Sequence, residues 1–305
     1  MKKIALLGVT IFLLSLCSGC SPACEHDYEL VATKDSGWRT YIVGSDFDTT
    51  GLEISLRCKK CHAKQVVDYE LENDKNLTLD QKSVLITHED YQLELPITVK
   101  NKYRIACIGD SLTEGHMWPN QSYPSYLSAA VSEKYEVGNF GRNGISVTGY
   151  GGSWDDPNMR YIKQDNYYKK SVDYNPDIFA IMLGTNDATG WEKAEATFED
   201  EYHILLDSYV EQFPNARFIM MVSPPTQTPN NFNIPNDVIK EKVNPIQREL
   251  AEEYGFELID FREEFEETDN YESKFLRPGD GVHFTVEGAQ YVANRVWEVA
   301  KDLVF

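Results

Sequence analysis

Residues 105–115, "IACIGDSLTEG", are an apolar run that breaks into Gly109, Asp110 and Ser111. A serine at the end of a buried strand is either a nucleophile or a cap that accepts the free N–H groups of a following helix. A nucleophilic serine needs a base, an anion that orients the base, and donors for an oxyanion. Those partners must come from elsewhere in the chain.

Four further polar or small residues follow apolar runs later in the sequence. Gly141 ends "NFG", Asn186 lies in "GTND", and both Asp280 and His283 lie in "GDGVHF". In open α/β sheets the carboxyl ends of parallel strands share one edge, and ligands bind there. We therefore expect these four residues and Ser111 to lie at the same edge of a sheet.

These residue types predict acyl transfer. His283 is the expected base, and Asp280 is close enough in sequence to orient its imidazole and stabilise its charge. The backbone N–H groups of Ser111 and Gly141 and the side chain of Asn186 are the expected oxyanion donors. Each residue alone is explained by a turn or a helix cap, but their coincidence at one sheet edge favours a catalytic site.

The elements that must position these residues fall into two parts after a short leader. Residues 102–305 alternate short apolar runs with longer amphipathic ones, which predicts an α/β domain of three α/β/α layers with a parallel sheet of roughly five strands. Residues 21–101 carry short β-type runs between turn residues, which predicts a small all-β sandwich. Residues 1–20 contain two lysines and then a short apolar run that ends in small residues, which is the pattern of an export signal.

The motifs G-D-S-L-T-E-G, N-F-G, G-T-N-D and D-G-V-H occur in the order found in SGNH hydrolases, also called GDSL esterases. The resemblance covers roughly residues 103 to 303 and implies a flavodoxin-like fold and a serine esterase without a catalytic metal. It assigns the same roles to the same residues: Ser111 as nucleophile, Asp280 and His283 as its partners, Gly141 and Asn186 as oxyanion donors.

Two resemblances concern the N-terminal third. Residues 21–101, with "YIVG" near their start, resemble bacterial immunoglobulin-like surface domains, which mostly act as spacers or adhesion modules. The segment "CSGC" resembles a lipoprotein signal in which Cys20 carries lipid. We therefore expect an exported protein, anchored to the cell surface through Cys20 or otherwise secreted.

The substrate is predicted from similarity and from aromatic residues. The stretches "YPSYL" and "NFGRNG" are most similar to acetylesterases that act on sugars, including the sialate O-acetylesterase-like group. Trp154 and Trp191 lie near the predicted crevice, where their rings can stack on sugar faces. An acylated carbohydrate or another small ester is the expected substrate. A lysophospholipase or thioesterase of the same family, and a surface glycan-binding protein without turnover, are the alternatives.

A second chemical group lies in the N-terminal third, where Cys24-x-His26 is followed by Cys58-x-x-Cys61. This set suits a structural zinc ion, and outside the cell it suits a disulfide as well. We expect no cofactor for catalysis, because a metallohydrolase would need its metal ligands at the predicted crevice.

The charge of the chain limits its partners. With 49 acidic and 29 basic residues, the formal net charge is −20. Such a surface disfavours nucleic acid and anionic membranes, so we expect membrane contact only through a lipid anchor.

Overall fold

The computed structural model describes residues 24–35 and 39–303. The predicted export signal over 1–20, including Cys20, lies outside the described residues. The strands in chain order are β1 Tyr28–Lys34, β2 Thr40–Ile42, β3 Glu53–Cys58, β4 Lys64–Val66, β5 Glu70–Glu72, β6 Ser83–His88, β7 Tyr91–Pro96, β8 Thr98–Lys100, β9 Tyr103–Gly109, β10 Tyr135–Gly141, β11 Tyr150–Gly151, β12 Trp154–Asp155, β13 Ile178–Met182, β14 Arg217–Val222 and β15 Glu257–Asp260. The α-helices are α1 Ser111–Glu114, α2 Tyr123–Ala130, α3 Lys170–Asp173, α4 Trp191–Ala194, α5 Phe198–Gln212, α6 Asn236–Val238, α7 Asn244–Tyr254, α8 Phe261–Glu266, α9 Tyr271–Phe275 and α10 Val286–Ala300.

One five-stranded sheet organises residues 103–260. Its strands lie in the order β10-β9-β13-β14-β15, and every neighbouring pair is parallel. Numbered along the chain this order is 2-1-3-4-5, the flavodoxin-like arrangement. β13 is buried at every residue, and β9 and β14 are buried at all but one. Strands covered by helices on both faces have this pattern, and the predicted parallel α/β sheet is confirmed.

The covering helices bury one apolar stripe each. α5 buries Leu205 and Leu206 against the sheet, and α10 buries Val292 and Val296. α7 continues a helical stretch that begins in α6 and passes through a π turn at Ile239–Val243. Pro245, in the first turn of α7, has no N–H to donate to the preceding turn, which accounts for the irregular winding there.

The described residues from 28 to 100 form three smaller sheets. β1-β3-β4 and β5-β6-β7 are antiparallel, whereas β2 and β8 pair in parallel. They surround an apolar cluster of their own, in which Ile54, Leu77 and Ile86 are fully buried. Antiparallel strands are thus present, while an immunoglobulin-like domain bounded at residue 101 stays a prediction. Among the helices of the described residues, none combines the length and the apolar character needed to span a bilayer.

The order of the main sheet also determines where a crevice forms. β9 and β13 are neighbours in the sheet although β10 lies between them in sequence. The chain therefore runs from β9 toward one edge of the sheet, to β10, and from β13 toward the other edge, to β14. Ligands bind at such a switch point, beyond the carboxyl ends of the strands. Ser111 directly follows β9 and Asn186 follows β13 at this point. Asp280 and His283 follow β15 after two short helices, α8 and α9, and precede α10.

Candidate active site

Ser111 is the first residue of α1, at the turn that leaves β9. Asp110 caps this helix, because its Oδ1 accepts the N–H of Leu112 at 2.9 Å. Among the described residues, no hydrogen bond uses the N–H of Ser111. Ser111 is 6% exposed and lines a pocket at this edge of the sheet. The serine therefore offers both a hydroxyl and an unused N–H to a bound molecule.

His283 links Ser111 to Asp280. Its Nε2 lies 2.9 Å from Oγ of Ser111, and its Nδ1 lies 3.1 Å from Oδ2 of Asp280. When the proton is on Nδ1 and is donated to Asp280, the lone pair of Nε2 faces the serine hydroxyl. This is the geometry that proton abstraction from a serine requires.

Asp280 is held by the turn in which it lies. The backbone N–H groups of Val282 and His283 donate to its Oδ1 at 2.8 Å and 2.9 Å. Gly281 has φ +74° and allows the chain to turn back onto this carboxylate. Burial favours the neutral carboxyl, but the hydrogen bonds from the His283 ring and the two N–H groups prevail and lower the pKa of Asp280 below 3.8. The carboxylate is therefore ionised at neutral pH.

Two further rings fix the plane of the His283 imidazole. His116 stacks on it at 4.1 Å between centroids, and Phe232 contacts it edge-on at 4.9 Å. Burial, and then the charge of His283, lower the pKa of His116, so His116 is neutral beside its partner. Arg277 Nη1 donates to the carbonyl of His116 at 2.9 Å and holds this segment in place. Neither contact was predictable from the sequence, since both partners are distant from His283 in the chain.

Ser111, Asn186 and His283 line a common pocket of about 120 Å³. This volume is below the ~300–1,000 Å³ of pockets that enclose drug-sized ligands, so the pocket suits a small group. The remaining residues of its wall are His116, Asn143, Gly144, Gly152, Ser153, Thr189, Phe232 and Ile234. Of the predicted oxyanion donors, Gly141 is the one that does not line this pocket.

The geometry corrects the prediction for Gly141. Its N–H donates to Oδ1 of Asn139 at 2.9 Å, and its α-carbon faces the backbone of α1. Gly144, three residues on, lines the pocket, and no hydrogen bond within the described residues uses its N–H. The unused donors near Ser111 Oγ are therefore those of Ser111 and Gly144.

Asn186 is oriented by its neighbours. Its Nδ2 donates to the carbonyl of Ile145 at 2.8 Å, which leaves the second hydrogen of the amide for the pocket. The carboxylate of Asp187 accepts the N–H groups of Val147 and Thr148, both at 3.0 Å. The segments after β10 and β13 are thus tied together beneath the pocket.

A larger groove of about 630 Å³ adjoins the small pocket, with Gly152 and Thr189 in both walls. The predicted residues Trp154 and Trp191 both line it. Trp154 is 37% exposed, whereas Trp191 is half-buried and its Nε1 has no hydrogen-bond partner in the described structure. Tyr161, another aromatic residue of this region, instead lies fully buried and donates its hydroxyl to Phe140.

Cys24, His26, Cys58 and Cys61 also lie together, beside the start of β1 and the turn between β3 and β4. One ligating atom of each side chain lies within 4.8 Å of those of the others, and none of the three thiols is joined to another by a disulfide. None of the four lines the pocket that contains Ser111.

The sequence profile of the GDSL-like lipase/acylhydrolase family matches residues 107–291. This match covers more than half of the chain, so the chain belongs to that family, and the SGNH resemblance is confirmed. An acetylxylan esterase from Xylanibacter ruminicola is 25% identical over 229 residues, which are 65% of this chain and 43% of that protein. The chain therefore spans less than half the length of this curated relative.

Two solved structures have the same fold. A lipase/acylhydrolase from Enterococcus faecalis aligns with a TM-score of 0.52 and 21% identity, over 66% of this chain and 96% of its own. A carbohydrate acetylesterase from Sinorhizobium meliloti aligns with a TM-score of 0.50 and 17% identity, over 66% and 100%. At such identities the alignments establish the fold of the α/β part and leave the substrate open.

Proposed function

We propose that the protein is a serine esterase that removes acetyl or other short acyl groups from carbohydrate. The main support for this proposal is that Ser111, His283 and Asp280 form a hydrogen-bonded series. Ser111 and His283 line a pocket of about 120 Å³. Such a pocket suits a short acyl group and is too small for a fatty acyl chain. The similarity to an acetylxylan esterase supports the same substrate class.

The proposed reaction proceeds in two steps. Ser111 Oγ attacks the carbonyl carbon of the ester while Nε2 of His283 takes its proton, and Asp280 stabilises the imidazolium. His283 then gives that proton to the leaving alcohol as the ester C–O bond breaks, which leaves an acylated Ser111. A water molecule, deprotonated by His283, hydrolyses this intermediate and releases the carboxylic acid. These side chains supply every group that the reaction needs, so no metal or cofactor is required.

The negative oxygen that forms in each step needs hydrogen-bond donors. We assign this role to the N–H groups of Ser111 and Gly144 and to Nδ2 of Asn186, in place of the predicted Gly141. All three residues line the pocket, and the N–H of Gly141 is already donated to Asn139. Loss of one such donor typically lowers kcat by about 100- to 1,000-fold.

The alcohol part of the substrate is assigned to the adjoining groove. Trp154 and Trp191 offer flat apolar faces there, and such faces stack on sugar rings. On acetylated xylan, Trp154→Ala is expected to raise KM about tenfold. Its kcat/KM on 4-nitrophenyl acetate should stay unchanged, because that ester does not extend into the groove. Trp154→Phe keeps an aromatic face and should retain most of the affinity for the polymer.

The deciding experiment is hydrolysis of 4-nitrophenyl esters from acetyl to palmitoyl by the chain without residues 1–20. We expect the acetyl ester to react fastest and Ser111→Ala to lose more than about 1,000-fold in kcat. Ser153→Ala, which removes an exposed hydroxyl from the same pocket, is the matched control and should keep its activity. A preference for long chains would favour the lysophospholipase or thioesterase alternative. Glycan binding without serine-dependent turnover would favour the binding protein.

We also propose that the chain is exported and held at the cell surface by lipid on Cys20, with residues 21–101 as an immunoglobulin-like spacer. The lysines, apolar run and "CSGC" of the leader support this. Incorporation of labelled fatty acid into the full-length protein, and its loss in Cys20→Ala, is the expected result. Release of an unlabelled protein to the medium would instead indicate secretion.

A further inference from the structure

The four metal-type side chains of the N-terminal part converge from two separate segments. Cys24 and His26 come from the segment before β1, whereas Cys58 ends β3 and Cys61 lies in the turn toward β4. Sγ of Cys24 lies 3.9 Å from Sγ of Cys58, and Sγ of Cys61 lies 3.5 Å from Nδ1 of His26. A disulfide would join two of the three thiols and would not account for the position of the third thiol and of His26 beside them.

These separations are those of a tetrahedral zinc site. With Zn–S bonds of about 2.3 Å and a Zn–N bond of about 2.0–2.1 Å, tetrahedral angles place two sulfurs about 3.8 Å apart and sulfur and nitrogen about 3.5 Å apart. Both observed distances agree with these values within the ~0.2 Å expected of a metal site. These two separations match a tetrahedral zinc site, and all four ligating atoms lie within 4.8 Å of one another.

The backbone of this region holds the ligands in place. The N–H of His62 donates to the carbonyl of Cys58 at 2.9 Å, which closes the tight turn that contains Cys61. The N–H of Lys59 donates to the carbonyl of Asp27 at 2.8 Å, which ties the same turn to the segment of Cys24 and His26. The arrangement is thus built into the β1–β3 pairing and does not depend on one flexible side chain.

We infer that Cys24, His26, Cys58 and Cys61 bind one zinc ion, which fastens the segment before β1 to the turn between β3 and β4. Four protein ligands leave no open coordination position, as is typical of a structural site. Zinc binding releases the protons of the three thiols, and the resulting group carries one net negative charge. Lys59 and Lys60, which lie between the two cysteines of the turn, offset that charge.

The test begins with the reduced, metal-free chain without residues 1–20, titrated with Co²⁺ and then with Zn²⁺. We expect one Co²⁺ per chain with the intense visible absorption of a tetrahedral cobalt thiolate, and its loss when Zn²⁺ displaces the cobalt. The chain exported by its native host should carry one zinc ion by native mass spectrometry. A mass lower by two hydrogens with no zinc, which means a disulfide, would overturn the inference.

Single variants distinguish this site from adventitious binding. Cys24→Ser, Cys58→Ser, Cys61→Ser and His26→Ala should each weaken zinc binding by more than about 100-fold, since even changes to groups around the ligands cost 10- to 100-fold. His62→Ala, an exposed histidine beside the turn, is the matched control and should bind as tightly as the parent chain. Equal affinity in all five variants would refute the assignment. Turnover of 4-nitrophenyl acetate, measured in parallel, reports whether the catalytic part of each variant is folded and tests the esterase proposal separately.

Discussion

Four neighbouring side chains hold the imidazole of His283 in the orientation that proton transfer requires. Asp280 bonds to Nδ1, Ser111 lies at Nε2, and His116 and Phe232 enclose the ring faces and edge. Because the ring cannot rotate freely, the tautomer with a proton on Nδ1 is selected by the carboxylate alone. The carboxylate of Asp280 is therefore the group whose chemistry can be changed with the least disturbance of shape.

Asp280→Asn should lower kcat on 4-nitrophenyl acetate by about 1,000- to 10,000-fold. The amide oxygen can still accept the N–H groups of Val282 and His283, but the NH₂ group then faces Nδ1 and favours the tautomer with a proton on Nε2. That tautomer cannot accept the serine proton. KM and thermal stability should change little, and exposed Asp269→Asn is the control. An unchanged kcat would remove Asp280 from the proposed mechanism.

Asp110 should make the stability of the chain depend on pH. Its side chain is fully buried, and burial raises the pKa of the carboxyl from 3.8 to about 7. Between those pH values the folded chain holds a proton that the unfolded chain releases, so the free energy of unfolding falls as pH rises. Asp110→Asn keeps the capping oxygen and removes the titration.

Relative to the parent chain, Asp110→Asn should therefore gain stability steadily from about pH 4 to pH 7, by up to about 4 kcal/mol for a shift of about three units. Urea unfolding of both proteins across that range measures the difference directly. Asp269→Asn, whose side chain is exposed, should show a constant difference. A flat difference for Asp110→Asn as well would mean that Asp110 is ionised in the folded chain.

The two glycines of "NFGRNG" illustrate the limit of sequence reasoning at single residues. Gly141 ends β10 and Gly144 follows it, and the sequence offers no basis for deciding which N–H faces the crevice. The side chain of Asn139 decides between the two N–H groups. Its Oδ1 accepts the N–H of Gly141, whereas the N–H of Gly144 has no hydrogen-bond partner among the described residues. Residue type and strand position were sufficient to predict that Ser111, His283 and Asp280 lie together, because their proposed roles use side chains.

The short hairpin of β11 and β12 links the small pocket to the groove. A Cβ on Gly152 would lie 2.8 Å from Oδ1 of Asn186 and 2.5 Å from the carbonyl of Gly144. Gly152 also donates its N–H to Oγ1 of Thr189 at 2.6 Å. The hairpin thus packs against Asn186 and Gly144, two residues of the proposed oxyanion donors, and its position determines the positions of these donors.

Gly152→Ala should displace the side chain of Asn186 and lower kcat on 4-nitrophenyl acetate by about tenfold or more. Gly255→Ala is the matched control, since Gly255 has a similar φ of +65° but no atom within 4 Å of an added Cβ. Both variants should lose about 1–2 kcal/mol of stability from backbone strain. Equal kcat in the two variants would show that the hairpin does not control the donors.

The main sheet was predictable because its three central strands, β9, β13 and β14, are almost continuously apolar, which is characteristic of strands buried on both faces. The hairpin was not, because "GYGGSWDD" forms strands of two residues each, held by contacts to segments distant in sequence. For the same reason the sequence did not reveal α8 and α9, which lie between the fifth strand and Asp280 and His283. Local pattern predicts long regular elements, and short ones depend on tertiary contacts.

The whole chain carries 20 more negative than positive formal charges, and this excess extends to the groove. Asp155 and Glu192 line it together with Lys193, which leaves the lining negative on balance. Charge of one sign around a site repels ligands of the same sign and attracts those of the opposite sign. Neutral acetylated sugars therefore approach more readily than those that carry carboxylates.

This charge predicts a salt effect that depends on the substrate. For an acetate ester of a sulfonated phenol, kcat/KM should rise several-fold as ionic strength increases from about 0.01 M to 0.15 M, because the screening length falls from about 30 Å to about 8 Å. For neutral 4-nitrophenyl acetate it should stay constant, which controls for effects of salt on the enzyme itself. Lys193→Gln makes the groove more negative and should steepen the response to the anionic ester alone. If both esters respond alike, the charge of the molecule has no part in substrate selection.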